Sequence, residues 1–146
     1  MRVVIQRVKE AQVKVAGKTV GQIARGVLIF LGVARDDSQS SADYLIKKIT
    51  ELRIFEDVQG KMNVSAQEAG AQFLVVSQFT LYGNCDKGRR PSFDQAADPL
   101  LGEGLYNYFV IQLKAAGAKV ETGVFRAMMD VSLINDGPVT FIIDSK

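Results

Sequence analysis

The chain has 146 residues, 47% of them hydrophobic, and a formal net charge of +2. This suits a single domain, residues 1–146, and excludes wrapping of nucleic acid by bulk charge. Because it has no histidine and one cysteine, Cys85, Ser-His and Cys-His catalytic triads are excluded and a cytoplasmic location is expected. The longest apolar run, at 26–34, is too short to span a bilayer, so no membrane association is expected.

Apolar patterning predicts several strands in the first quarter of the chain. Residues 2–8, 11–15 and 19–23 alternate between apolar and polar positions, which is typical of half-buried strands. The uninterrupted apolar run at 26–34 predicts a buried central strand.

A helix and a further buried strand follow. Ser40 and Asp43 resemble a capping box, and apolar residues at helical spacing continue as far as Leu52. A short strand is predicted at 53–55. Residues 73–80, FLVVSQFT, predict a strand that is buried at first and polar at its end.

The second half of the chain contains a long loop, one helix and three strands. Residues 82–99 are irregular, and loops of this length in compact domains are often functional. A helix is predicted at 101–116 and strands at 118–125, 128–134 and 139–144. Because strands and helices do not alternate strictly, we expect an α+β fold, with a mostly antiparallel sheet or partly closed barrel and two packed helices.

The polar end of the 73–80 strand is the first candidate site. Ser77, Gln78 and Thr80 place two hydroxyls and an amide beside the long loop, where a ligand could bind. The same side chains could instead cap backbone groups where the strand ends. Spacing alone favours the capping role.

Three cations, Lys87, Arg89 and Arg90, form the second candidate site within four residues of the long loop. Arginine can hold a phosphate with two N–H groups at once, so this segment could bind nucleic acid. Asp86 and Asp94 flank it and weaken its positive field. A solvated surface loop is the alternative.

A Gly-Pro step, Gly137-Pro138, precedes the last strand where a β-ladder needs an N–H group. Glycine permits close approach of a ligand, and an X-Pro bond can be cis at a cost of about 0.5–1 kcal/mol. The alternative is an ordinary turn into the strand. Phe125 and Met129, which come shortly before the step, are favoured as core residues by their type alone.

Three motifs together resemble the D-aminoacyl-tRNA deacylase family. They are SQFTL at 77–81, KGRRPSF at 87–93 and NDGPVT at 135–140, and the N-terminal MRVVIQRV is also similar. The likeness extends over the whole chain without a large insertion. The order and spacing of the three motifs make it specific.

The resemblance implies a homodimer that hydrolyses the ester between a D-amino acid and the 3′-terminal adenosine of tRNA, with no cofactor or metal. It implies that residues 77–81 of one subunit form the pocket. A cis Gly137-Pro138 step of the other subunit would enter that pocket, and Arg7 matches a position that braces the step. The cations of the long loop would contact tRNA.

Main-chain groups carry the selectivity and catalysis that the resemblance implies. Carbonyls of the Gly-Pro step would hold the α-ammonium group, so an L side chain meets backbone whereas a D side chain, or glycine, is accepted. Backbone N–H groups at Phe79 and Thr80 would hold the developing oxyanion. Thr80 is expected to position the substrate, because no base is evident beside it. Phe125 and Met129 would lie near the aminoacyl or adenosine end.

Other functions stay open on the sequence. One is a nonenzymatic RNA-binding module that uses Arg89 and Arg90, which release of a D-amino acid from charged tRNA would exclude. Another is an amidase or peptidase with Thr80 as nucleophile, which a covalent adduct on Thr80 would support. The polar strand end argues against a purely structural dimer.

Overall fold

The computed structural model of the protein describes residues 1–145. These residues form eight strands, two α-helices and a short 3₁₀ helix at Phe79–Tyr82. The helices are α1 (Gln39–Glu51) and α2 (Pro99–Ala115). The strands are β1 (Arg2–Val15), β2 (Lys18–Ile23), β3 (Gly26–Gly32), β4 (Phe55–Glu56), β5 (Met62–Val64), β6 (Gln72–Ser77), β7 (Lys119–Thr122) and β8 (Asp130–Asp144).

Six strands form one mixed sheet in the order β2-β1-β3-β6-β7, and β8 also pairs with β1. The pairings of β1 with β2, β3 and β8 are antiparallel, whereas β3-β6 and β6-β7 are parallel. The ends of the sheet approach each other, since a Cβ at Gly21 in β2 would lie 2.4 Å from the carbonyl oxygen of Thr122 in β7. The predicted α+β class, a partly closed barrel with two helices, is confirmed.

The central strand β3 is buried on both faces, which explains its uninterrupted apolar sequence. Val27 and Ile29 on one face pack in the core that both helices cover. Leu28 on the other face packs in the barrel interior with Leu74 and Val76 of β6. α1 and α2 both pack on the first face.

α1 begins at a capping box between Ser38 and Ser41, with the Ser38 N–H donating to Ser41 Oγ at 3.3 Å. The predicted box at Ser40 and Asp43 is therefore wrong by two residues. Both pairs fit the same short pattern of polar residues, and the structure selects the pair that comes first in the chain. None of the helices formed by residues 1–145 is long and apolar enough to cross a membrane.

Two pairs of predicted strands are in fact single long strands. The segments predicted at 2–8 and 11–15 are continuous in β1, which must reach β2, β3 and β8. The segments predicted at 128–134 and 139–144 are joined in β8. Bulges in the β1-β8 pairing disturb the alternation and make each strand look interrupted in sequence.

Candidate active site

A pocket of about 770 Å³ opens beside the carboxyl ends of β3 and β6. Its wall is largely apolar, and its charged lining residues are Asp98 and Arg126. Five of the predicted site residues contribute to the wall: Ser77, Gln78, Phe79, Phe125 and Met129. The structure thus brings the first three residues of the 77–81 motif together with two residues that their type alone had favoured for the core, whereas Thr80, predicted as catalytic, does not line the pocket.

The polar end of the predicted 73–80 strand is a turn, because β6 ends at Ser77 and a 3₁₀ helix occupies Phe79–Tyr82. The Leu81 N–H donates to the Gln78 carbonyl at 3.2 Å. Within residues 1–145 the N–H groups of Phe79 and Thr80 make no hydrogen bond. Two adjacent free donors, one of which belongs to the pocket-lining residue Phe79, are the kind of group that can stabilise a developing oxyanion.

The Thr80 hydroxyl is exposed and accepts a short hydrogen bond from the Gln78 side-chain amide. An amide nitrogen cannot take a proton from a hydroxyl, so this partner orients Thr80 without activating it.

Arg2 holds the 3₁₀ helix in place, a role that the sequence did not reveal. Its Nη1 donates to the Leu81 carbonyl at 3.2 Å, its Nε pairs with Asp144 at 2.8 Å, and its guanidinium lies 5.4 Å from the Tyr82 ring centroid. Gly32 lets the helix pack closely, since a Cβ there would lie 3.1 Å from the Gln78 carbonyl oxygen. The N-terminal strand therefore sets the position of the free N–H groups.

Two aromatic pairs fix the pocket walls. Phe93, within the long loop, packs on Phe79 with ring centroids 4.9 Å apart. Tyr106 of α2 packs on Phe125 at 5.9 Å. Phe93 and Tyr106 were not predicted as site residues, although Phe93 lies within the KGRRPSF motif.

Two tyrosines near the site, the half-buried Tyr82 and the buried Tyr106, stay neutral. Burial raises the pKa of Tyr82 to about 12, with the nearby carboxylates of Asp37 and Asp144 adding to the shift. Burial likewise raises the pKa of Tyr106 to about 12, and its hydroxyl donates to the Val75 carbonyl at 2.9 Å. Neither phenol can serve as a base near neutral pH.

Gly137 and Pro138 lie on a bulge in β8, and the peptide bond between them is cis. Gln6 pairs with Thr140 and Val8 with Asn135, so residues 136–139 face Arg7 alone. Both residues of the step are exposed, and neither lines the pocket of its own chain.

Arg7 and Asn135 brace the bulge. The buried Arg7 donates from Nε to the Asp136 carbonyl at 3.1 Å and pairs with the Asp136 carboxylate at 3.0 Å. Its Nη1 donates to the Ile54 carbonyl at 2.6 Å. The Asn135 amide donates to the carbonyls of Arg7 and Val139 at 3.0 and 3.2 Å. Arg7 thus contacts Asp136, the residue before the Gly-Pro step, and the support from Asn135 was not predicted.

The basic segment of the long loop lies outside the pocket. Lys87, Arg89 and Arg90 are exposed, and within residues 1–145 none of them forms an ion pair. The Asn84 N–H donates to the Ser92 carbonyl at 2.8 Å, and this pair closes the base of the segment. The cations therefore face solvent beside Phe93, which reaches the pocket.

Comparison with solved structures shows the fold first. A structure described as a probable eukaryotic D-amino acid tRNA deacylase covers 98% of each chain with a TM-score of 0.86 and 21% identity, which shows a shared fold. A structure of the c-Myc DNA Unwinding Element Binding Protein covers 100% of this chain and 99% of its own, with a TM-score of 0.94 and 38% identity. The chain thus shares its fold with both of these solved structures.

The family follows from sequence. The D-aminoacyl-tRNA deacylase of Desulfatibacillum aliphaticivorans is 61% identical over 146 residues, 100% of both chains. That of Koribacter versatilis is 57% identical and covers 100% of this chain and 98% of its own. The model of the D-Tyr-tRNA(Tyr) deacylase family matches residues 4–144. The chain belongs to this family, which confirms the resemblance drawn from its three motifs.

Proposed function

We propose that the protein hydrolyses the ester between a D-amino acid and the 3′-terminal adenosine of tRNA, and releases the free amino acid and tRNA. The observation that carries the proposal is the pair of free N–H groups at Phe79 and Thr80 beside a largely apolar pocket, in a chain of this family. A volume of about 770 Å³ suits a small organic ligand such as an aminoacyl adenosine.

The proposed active form is a homodimer in which Gly137-Pro138 of one subunit completes the pocket of the other. Two observations support it. The step is exposed and lies outside its own pocket. The strand that carries it also exposes large apolar side chains, with Ile134 50%, Phe141 40% and Ile142 69% exposed. An apolar strand surface of this kind is typical of an interface.

Selectivity in this proposal comes from main-chain atoms. Carbonyl oxygens of the partner's Gly-Pro segment accept hydrogen bonds from the substrate α-ammonium group, while the N–H groups of Phe79 and Thr80 hold the ester oxygen. With ammonium and ester both fixed, an L side chain collides with backbone and a D side chain points to open space. Glycine has no side chain and is accepted as a substrate.

Catalysis needs no side-chain base in this proposal. An aminoacyl ester is already reactive, so oxyanion stabilisation by two backbone donors supplies a useful part of the barrier reduction, on the order of 3 kcal/mol for one such donor. The vicinal 2′-hydroxyl of the terminal ribose orients or activates the water. Thr80 positions the substrate, since its partner is the Gln78 amide.

Contacts with the rest of the tRNA are assigned to Lys87, Arg89 and Arg90. They are exposed cations on a loop whose Phe93 packs against the pocket residue Phe79. Phosphate contacts of this type give affinity without base selectivity. We place the activity in the cytoplasm, where charged tRNA is used.

The test is a deacylation assay on tyrosine tRNA charged with D-tyrosine or with L-tyrosine, and on glycyl-tRNA. We expect fast release of D-tyrosine and glycine, and release of L-tyrosine at the rate in buffer alone. Equal release of D- and L-tyrosine would contradict the selectivity. Tight tRNA binding without any release would favour the nonenzymatic RNA-binding module.

A further inference from the structure

The turn between β7 and β8 places an arginine at the mouth of the pocket. The Ala127 N–H donates to the Val124 carbonyl at 3.2 Å, and Arg126 is the third residue of this turn with φ 62°. Glycine and asparagine adopt positive φ with less strain than arginine does. A strained residue beside a pocket suggests that its side chain has a function there.

The backbone on both sides of Arg126 is anchored. The Phe125 ring packs on Tyr106 at 5.9 Å. The Met129 sulfur packs against Gly123, where a Cβ would lie only 2.6 Å from it. These contacts fix the backbone from which the Arg126 side chain extends. Less conformational entropy is therefore lost when a ligand binds.

The charge of Arg126 is left available. It is the one cation among the residues that line the pocket, and within residues 1–145 it forms no ion pair. The lining carboxylate, Asp98, caps α2 by accepting the N–H groups of Leu100 and Leu101 at 2.9 and 3.0 Å. Asp98 is therefore engaged by the helix, and Arg126 is the charge that the pocket mouth offers to an entering ligand.

We propose that Arg126 binds the phosphate on the 5′ side of the substrate's terminal nucleoside. This inference rests on the proposed function, because an adenosine ester held in the pocket carries its phosphodiester only a few bonds from the reacting centre. A guanidinium can bind such a phosphate through two parallel N–H groups. Arg126 would then bind the nucleotide end of the substrate, whereas the main-chain groups of the proposed site select the configuration of the amino acid.

The test uses two hydrolysis-resistant analogues, in which D-tyrosine is joined through an amide to 3′-amino-3′-deoxyadenosine. One analogue carries a 5′-phosphate and the other does not, and calorimetry gives the ratio of their Kd values. We expect the wild type to bind the phosphorylated analogue about tenfold more tightly at low salt, a preference that salt screens. In Arg126→Asn the ratio should fall to near one, and Arg126→Lys should keep part of it, because lysine retains the charge but not the paired donors.

Asparagine tolerates positive φ, so Arg126→Asn is expected to fold, and thermal melting checks this. Arg53→Asn is the matched control, because Arg53 contacts Asn63 at 3.2 Å away from the pocket, and it should keep the wild-type ratio. A Kd ratio near one in the wild type, or an equal ratio in Arg126→Asn and the wild type, would contradict the phosphate contact. Hydrolysis of D-tyrosyl-tRNA in the same preparation would still support the proposed function. Absence of both analogue binding and hydrolysis would overturn the inference together with the proposed function.

Discussion

At the scale of single residues, the groups at the pocket edge differ in what their partners allow them to do. The N–H groups of Phe79 and Thr80 are free to stabilise charge. The Thr80 hydroxyl is held by the Gln78 amide, which cannot accept its proton. The neutral tyrosines around the site, with pKa values of about 12, do not supply a base either. The proposed mechanism therefore assigns the chemistry to the main chain and gives Thr80 a positioning role.

Substitution of Thr80 separates positioning from nucleophilic attack. Thr80→Ser keeps the hydroxyl and should retain much of the activity. Thr80→Val removes the acceptor of the Gln78 hydrogen bond and should lose about tenfold in kcat/KM, equivalent to about 1.4 kcal/mol. Steady-state kinetics with D-tyrosyl-tRNA give both values. Detection by mass spectrometry of an aminoacyl group bound covalently to Thr80 during turnover would show instead that Thr80 is the nucleophile.

Arg2 offers a test of whether the 3₁₀ helix must be held in place. Arg2→Gln removes the guanidinium that contacts Leu81, Tyr82 and Asp144. We expect a several-fold loss of kcat with a small loss of stability, because a partly exposed ion pair contributes only about 0–1 kcal/mol. Arg53→Gln, which removes a guanidinium that contacts Asn63 instead, is the control. An equal loss of activity in both variants would contradict the role of Arg2.

At the scale of elements, the sequence predicted the helices and the buried strands well because their burial is regular. The central strand at 26–34 and the helix at 101–116 both correspond to observed elements. The sequence did not predict that β8 is one strand, because its bulge interrupts the alternation. Nor did it predict the 3₁₀ helix after Ser77, since polar residues at a strand end fit several turns. The pocket could be placed at this motif only through the family resemblance, because it is assembled from segments distant in sequence.

The basic loop carries a prediction about salt. Arg89→Ala with Arg90→Ala should weaken tRNA binding and lower the slope of log K against log salt by about 0.9 for each duplex phosphate that is no longer neutralised. The preference for D over L substrate should be unchanged. Replacing Lys47 and Lys48, two exposed cations of α1, with alanine is the control. Equal slopes in the wild type and the loop variant would assign the arginines to solvent or to the partner subunit.

At the scale of the whole molecule, the lack of histidine predicts the dependence of the rate on pH. The rate should rise smoothly with hydroxide from about pH 6 to 9, once the ionisation of the substrate amine, with a reference pKa of about 7.7–8.0, is allowed for. The phenols of Tyr82 and Tyr106 stay protonated throughout this range, because burial raises their pKa to about 12. Deacylation rates across this range check the prediction. A bell-shaped dependence of the rate on pH, centred near neutrality and not explained by the substrate amine, would show that a side-chain base operates.

The proposed activity depends on a pocket that two subunits share. Position 137 leaves no room for a side chain, because a Cβ there would lie 2.8 Å from Asn135 Oδ1. The Asn135 side chain is the one that braces the bulge. Gly137→Val should therefore displace the segment and inactivate the pocket that it enters. Thr80→Val should impair the pocket of its own subunit.

Mixing these two variants shows whether the pocket is shared. Each homodimer has two damaged pockets, whereas a heterodimer holds one pocket with both defects and one with neither. If the site is shared, subunit exchange should raise D-tyrosyl-tRNA hydrolysis to about half the wild-type rate per heterodimer, by counting of intact sites. Native mass spectrometry measures heterodimer formation in the same samples. Heterodimers that form but hydrolyse no faster than the separate variants would contradict a pocket completed by the partner's Gly137-Pro138.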